Sequence, residues 1–193
     1  MSVVEVPKKP MMAMSHAWKI ADSLDKDSVM VEWGGGASTF FWLKSTPVAE
    51  VHTVEHNRDW YRVLKGKQET LERDYGSRLQ LCHIPRQANE WLEHHEYPGG
   101  AEEYASPSDF VPLDKADVIL VDGVNRNLCL AFAASRAKAG ARMFLHDSEH
   151  PVYAWGMRYM ATHPDWSEVE VGSCGTPEEQ YHDCELSYWE RIG

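Results

Sequence analysis

The stretch Val29 to Phe41, VMVEWGGGASTFF, constrains the fold of this chain more than any other. Val29, Met30 and Val31 form an apolar run too short for a core helix and read as a strand buried on both faces, as in a parallel sheet. Gly34, Gly35 and Gly36 then allow a backbone approach that a Cβ would forbid, and Ser38 or Thr39 stands where the cap of a following helix belongs. Strand, glycine turn and helix N-terminus together make a cradle whose free N–H groups meet the polar groups of a nucleotide-type ligand.

A dinucleotide fingerprint has the form G-x-G-x-x-G, and Thr39 stands where its third glycine belongs, so the match to pyrophosphate binding is weak. The segment Glu50 to Glu55, EVHTVE, alternates into a second strand after a helix over Ser38 to Ser45. Glu55 at its end is placed to accept both hydroxyls of a ribose. Nicotinamide and S-adenosylmethionine enzymes share that feature, so it supports a nucleoside without choosing between the two.

At 193 residues the chain is long enough for one domain with a full core, 1–193. Its net charge of −11 repels a phosphate backbone, so nucleic acid is not expected as a partner. The N-terminal segment has no apolar run long enough for a signal or a membrane span, which places the protein in the cytoplasm by default. Cys82, Cys129, Cys174 and Cys184 include no C-x-x-C pair and read as small buried residues rather than a disulfide frame or zinc site.

A helix is expected over Pro10 to Asp25, an amphipathic helix divided at Gly66 over Asn57 to Tyr75, and a third strand over Arg78 to Ile84. From Gln87 to Leu113 the regular pattern stops. Trp91, Tyr97, Tyr104 and Phe110 among turn formers suit a substrate loop or lid over a carbohydrate or phenolic acceptor. Within it, Glu93-His94-His95-Glu96 reads as a solvated face rather than a metal site, because adjacent histidines point apart. Asp117 to Asp122 is the most apolar strand, Asn125 to Ala139 a helix, and Ala141 to Leu145 a fifth strand that runs into His146-Asp147-Ser148-Glu149-His150. Asp122 and Asp147 therefore lie at carboxyl ends of strands, on the edge where open parallel sheets bind ligands. After a helix over Val152 to Thr162, strands over Val169 to Cys174 and Asp183 to Arg191 form a closing hairpin.

Glu32-x-Gly34-x-Gly36 resembles the first motif of the class I S-adenosylmethionine (SAM) dependent methyltransferases. The resemblance implies a Rossmann-like seven-stranded, mostly parallel α/β sheet with a C-terminal antiparallel hairpin. It places Glu32 near the cofactor's amino acid moiety, with Gly34, Gly35, Gly36, Glu55 and Asp122 around SAM. The phrases ILVDG and FLHDSEHPVY resemble the corresponding strands of small-sugar O-methyltransferases. That narrower likeness implies a small-molecule or glycan acceptor, and it leaves room for a homo-oligomer. It makes Asp122 and Asp147 base positions or ligands of a divalent cation, Mg²⁺ or Mn²⁺, with Glu149 joining them. The chain has Asp147-Ser148 where an Asp-Asp or Asp-Asn pair is common. His146 and His150 are the candidate bases, and His150 is preferred because it lies further out in the loop. An NAD-linked oxidoreductase and a non-catalytic nucleotide-binding protein of the same fold are the competing readings.

Overall fold

The apolar run opens the sheet as expected: Val29–Trp33 is β1, with Met30, Val31, Glu32 and Trp33 all buried. The computed structural model describes residues 6–71, 73–85, 101–107 and 110–193. Most of the expected substrate loop, including Trp91, Tyr97 and Glu93 to Glu96, lies outside them.

β1 is flanked by β2, Glu50–Glu55, and by β4, Val118–Val121, both parallel to it. β3, Leu79–His83, extends the sheet beyond β2, and β5, Arg142–His146, extends it beyond β4. The closing hairpin of β6, Trp166–Cys174, and β7, Glu185–Arg191, inserts β7 antiparallel to β5, giving the order β3-β2-β1-β4-β5-β7-β6. The strand order reverses between β1 and β4, so the crevice at their carboxyl ends is where such a sheet binds ligands.

Period-two alternation divides the core between the two faces. Met30, Val51, Val118, Leu120 and Phe144 pack with helices α1, Met14–Ala21, α2, Ala37–Ser45, and α3, Arg58–Glu69. The short α4 spans Arg73–Gly76. Val31, Trp33, Ile119, Val121 and Leu145 face α5, Ala101–Ala105, α6, Arg126–Arg136, and α7, Ala154–Thr162. A 3₁₀ turn, Pro151–Tyr153, leads into α7.

Several boundaries differ from the sequence reading. α1 is half the length expected, and α3 runs through Gly66 unbroken, with nothing within 4 Å of where a Cβ on that glycine would lie. Tyr104 is fully buried rather than an exposed lid aromatic, because its carbonyl accepts the Trp33 indole N–H at 3.1 Å and draws α5 into the core. None of the four cysteines is in a disulfide, but only Cys129 is buried, and Cys174 is exposed. No helix among the described residues is long and apolar enough to cross a membrane.

Candidate active site

At the end of β1 the chain turns on Gly34, whose φ of +94° favours glycine. A Cβ there would lie 2.6 Å from the Gly123 nitrogen, and one on Gly123 would lie 2.9 Å from the Gly34 nitrogen. The turns after β1 and β4 therefore meet backbone to backbone at the crevice. Gly36 is the N-cap of α2 and has open space on its Cβ side, so the cradle is open at that end.

Glu32 has a different role from the one expected. It is fully buried, and its Oε1 accepts from Ser38 Oγ at 2.6 Å and Trp42 Nε1 at 3.1 Å. Its Oε2 accepts from Thr39 Oγ1 at 2.6 Å and Thr53 Oγ1 at 3.1 Å. With both oxygens engaged inside the fold, Glu32 fastens α2 and β2 to β1 and sets the glycine turn rather than facing a ligand. Burial pushes its pKa up to about 7, with the Ser38, Thr39 and Trp42 hydrogen bonds opposing. Ser38 and Thr39, expected as caps, spend their hydroxyl protons on Glu32, while Thr39 Oγ1 accepts the Gly36 N–H at 3.1 Å.

Glu55 stands at the end of β2, only 2% exposed and beside the cradle: Oε2 accepts the Gly35 N–H at 3.1 Å and Oε1 the Asn57 N–H at 2.7 Å. His56 Nδ1 lies 3.1 Å from Oε1. Each oxygen keeps acceptor capacity beyond these bonds, since a carboxylate offers about four lone-pair sites. Across the crevice, the Tyr104 hydroxyl reaches Gly123: a Cβ there would lie 2.2 Å from it. That hydroxyl is buried at the junction, beside the backbone of Val124. A glycine-lined junction beside a buried carboxylate with acceptor capacity to spare fits a polar nucleoside cofactor.

The ends of β4 and β5 carry a charged cluster. His146 Nδ1 lies 3.0 Å from Asp122 Oδ1 and 3.3 Å from Asp147 Oδ1. His146 is 2% exposed, and its Nε2 has no partner among the described residues. Burial disfavours charge on the imidazole, but the Asp122 carboxylate, helped by Asp147, outweighs it and raises the pKa. Asp122 is held below the usual carboxylate range: burial opposes the shift, and His146 and Arg126 overcome it. Asp147 meets its own chain neighbour because its φ is +54°, a left-handed turn that swings the carboxylate back toward the strand.

Arg126 joins these groups, and the sequence reading missed it. Its side chain is 10% exposed. The guanidinium lies 3.3 Å from Asp122 Oδ1 and 3.1 Å from Asp147 Oδ2, and it donates to the carbonyls of Asp122, Gly123 and His146. It also lies over the Tyr153 ring at 5.0 Å. One sequence signal points to it: a cation in the first turn of a helix opposes the helix dipole and needs a compensating partner. The space between Asp122 and Asp147 is thus occupied by a side-chain cation, so the set Asp122, Asp147 and Glu149 does not fit Mg²⁺ or Mn²⁺.

Two other expected residues are not part of the cluster. Glu149 Oε2 accepts the Glu185 N–H at 2.9 Å and anchors the hairpin. His150 is exposed and caps the 3₁₀ turn, its Nδ1 accepting the Val152 N–H at 3.3 Å. Cys184 lies within 4.8 Å of both a His146 ring nitrogen and an Asp147 oxygen. Burial and the hydrogen bond to Asp147 push its thiol up to about 12, which keeps it a protonated donor. Above the cluster, His16 of α1 approaches His146 edge-on, with ring centroids 6.2 Å apart.

No protein-family model and no curated protein matches the sequence. Solved structures do match the fold. A methyltransferase-like protein from Silicibacter pomeroyi is 17% identical with a TM-score of 0.64, covering 97% of this chain and 89% of its own. The cofactor-bound Rv0187 from MTB is 15% identical with a TM-score of 0.65, covering 97% and 84%. The glycopeptide N-methyltransferase MtfA, complexed with SAM, is 11% identical with a TM-score of 0.60, covering 94% and 88%. The chain therefore has the Rossmann-like class I methyltransferase fold, a seven-stranded mixed sheet with a C-terminal antiparallel hairpin.

Proposed function

We propose that this protein is a SAM-dependent O-methyltransferase acting on a hydroxyl of a small acceptor, with a sugar of a glycan as the favoured class. The observation that carries the chemistry is the Asp122–His146 pair, set at the switch point one residue from the Gly34–Gly123 junction. The fold supports the cofactor, and the likeness of ILVDG and FLHDSEHPVY to sugar O-methyltransferases supports the acceptor.

Glu55 would hold the cofactor by accepting from ribose hydroxyls, with the turn of Gly34, Gly35 and Gly36 giving it close backbone approach while its own N–H groups are bonded within the fold. When bound, SAM supplies an electrophilic methyl group on a sulfonium. The chain's part is to place the acceptor oxygen in line and to take its proton. Asp122 fixes the Nδ1 side of His146, which leaves Nε2 to receive that proton. The imidazolium formed is then stabilised by Asp122 and Asp147. His146 and Arg126 together hold Asp122 ionised.

Calorimetry with SAM, S-adenosylhomocysteine and NAD tests the cofactor. Binding of the first two and not of NAD is expected, and Glu55→Ala should weaken it by about 1.5–3 kcal/mol. Binding of NAD alone would overturn the reading. Turnover across an acceptor panel tests the base: His146→Ala should lose roughly 10²–10⁴ in rate while His150→Ala stays near wild type. Equal losses in both variants would reject His146.

A further inference from the structure

We infer that Arg126 takes the place of the divalent cation at the β4–β5 edge, acting as a fixed positive charge that positions Asp122, Asp147 and, through them, His146. Transfer at this site is accordingly metal-independent. The inference deepens the methyltransferase reading and rests on it for the reaction, while its metal-binding arm is independent of that reading.

Four observations support it. A cation shared by the two carboxylates would need oxygen ligands facing a common point, and the guanidinium lies between them at 3.3 and 3.1 Å. Arg126 is too tightly held to swing aside, because Nε donates to the Gly123 carbonyl at 2.8 Å and the terminal nitrogens to the Asp122 and His146 carbonyls. Third, Glu149, the carboxylate expected to complete an oxygen site, turns its Oε2 to the Glu185 N–H of the hairpin and has no contact with Asp122 or Asp147 among the described hydrogen bonds. Finally, Asp122 must serve His146 and Arg126 with the same oxygen, Oδ1, so the arginine directly sets where the imidazole's partner points. Arginine suits this task because its planar, always charged fork can bridge two carboxylates and several carbonyls at once.

Arg126 is a positioning residue: its contacts are to Asp122, Asp147 and three backbone carbonyls rather than to reacting atoms. Losing it leaves the two carboxylates to repel each other and draw a proton or a cation, which the wild-type arrangement forestalls.

The test begins with the chelator-treated full-length protein titrated with Mn²⁺ and followed by electron paramagnetic resonance. Wild type is expected to leave the Mn²⁺ signal that of the free ion, and Arg126→Met to bind one Mn²⁺, lost again in Arg126→Met/Asp147→Asn. Should Arg126→Met fail to fold, the wild-type measurement alone decides. One Mn²⁺ bound to wild type and abolished by Asp147→Asn would overturn the inference, as would a Co²⁺ charge-transfer band that disappears in Cys184→Ser. In turnover, chelator should leave wild type unchanged. Arg126→Met should lose roughly ten- to a hundredfold in kcat with S-adenosylhomocysteine affinity retained, and Arg126→Lys should recover part of it. Equal kcat in all three forms would reject the positioning role. Absence of S-adenosylhomocysteine binding in wild type would instead strike the methyltransferase reading and leave the metal result standing.

Discussion

Glu32 lies on β1 and Asp122 just beyond the end of the adjacent β4, yet their carboxyl groups shift in opposite directions. Glu32 is surrounded by three hydroxyls and an indole N–H, and those neutral donors do not offset the loss of water, so its pKa rises to about 7. Asp122 meets an imidazole and a guanidinium, and charged partners do offset it. At Glu32 the crevice is thus built by neutral hydrogen bonding that fixes shape, and at Asp122 by charge that fixes protonation.

The comparison breaks most visibly at Glu32. Glu32→Ala strands four buried donors and opens a cavity, so urea denaturation should record a loss of about 3–5 kcal/mol. A loss below about 1 kcal/mol would mean the network is not what holds the turn.

The same residue sharpens the contrast through pH. An acid whose folded pKa lies near 7, against 4.5 in the unfolded chain, favours the folded state fully below pH 4.5 and loses that contribution as pH rises through 7. Stability should therefore fall between pH 4.5 and 7, by on the order of 3 kcal/mol, and Glu32→Gln should flatten that slope. A slope that survives the substitution belongs to another group.

At the charged end the sign reverses. Asp122 raises the His146 pKa, so the acid limb of the rate profile should move to lower pH in Asp122→Asn, as the neutral imidazole becomes easier to keep. An unmoved limb would remove His146 as the titrating base. The smallest effect is expected at Glu179, whose carboxylate accepts the N–H and hydroxyl of Ser15 at 2.6 and 2.7 Å and is held at about 2 by the Ser15 hydroxyl first of all. That contact survives acidification until pH falls from 4.5 toward 2. Glu179→Gln should speed hydrogen exchange at the start of α1 without changing exchange in β1 or β4, and unaltered exchange in α1 would show that the helix needs no such anchor.

The strands were readable because their signal is local. The run at β1 and the alternation of β2 depend only on neighbouring residues, and Glu50–Glu55 has the bounds its pattern implies. The glycine turn and Glu55 were readable for the same reason. The difference between the two candidate bases was not. His146 and His150 are four residues apart in similar surroundings, and what separates them is the left-handed turn at Asp147, together with an arginine from another element. Glu32 shows the converse: its position suited a ligand contact, but the donors that claim it come from α2 and β2, twenty-one residues away in the case of Thr53. Hydrogen-bond partners fixed by packing leave no pattern in a single sequence.

The anchoring of α1 by Glu179 also bears on how the chain acquires its structure. Ala13 offers the helix no side-chain cap, and the carboxylate that serves its first turn is 164 residues further along. An eight-residue helix of this kind is not stable alone in water. During synthesis its anchor arrives only when the β6–β7 hairpin has emerged and docked, so a helix made before the sheet is complete settles after it. A nascent chain halted before residue 176 would therefore carry a proteolysis-sensitive N-terminal segment beside a partly assembled sheet.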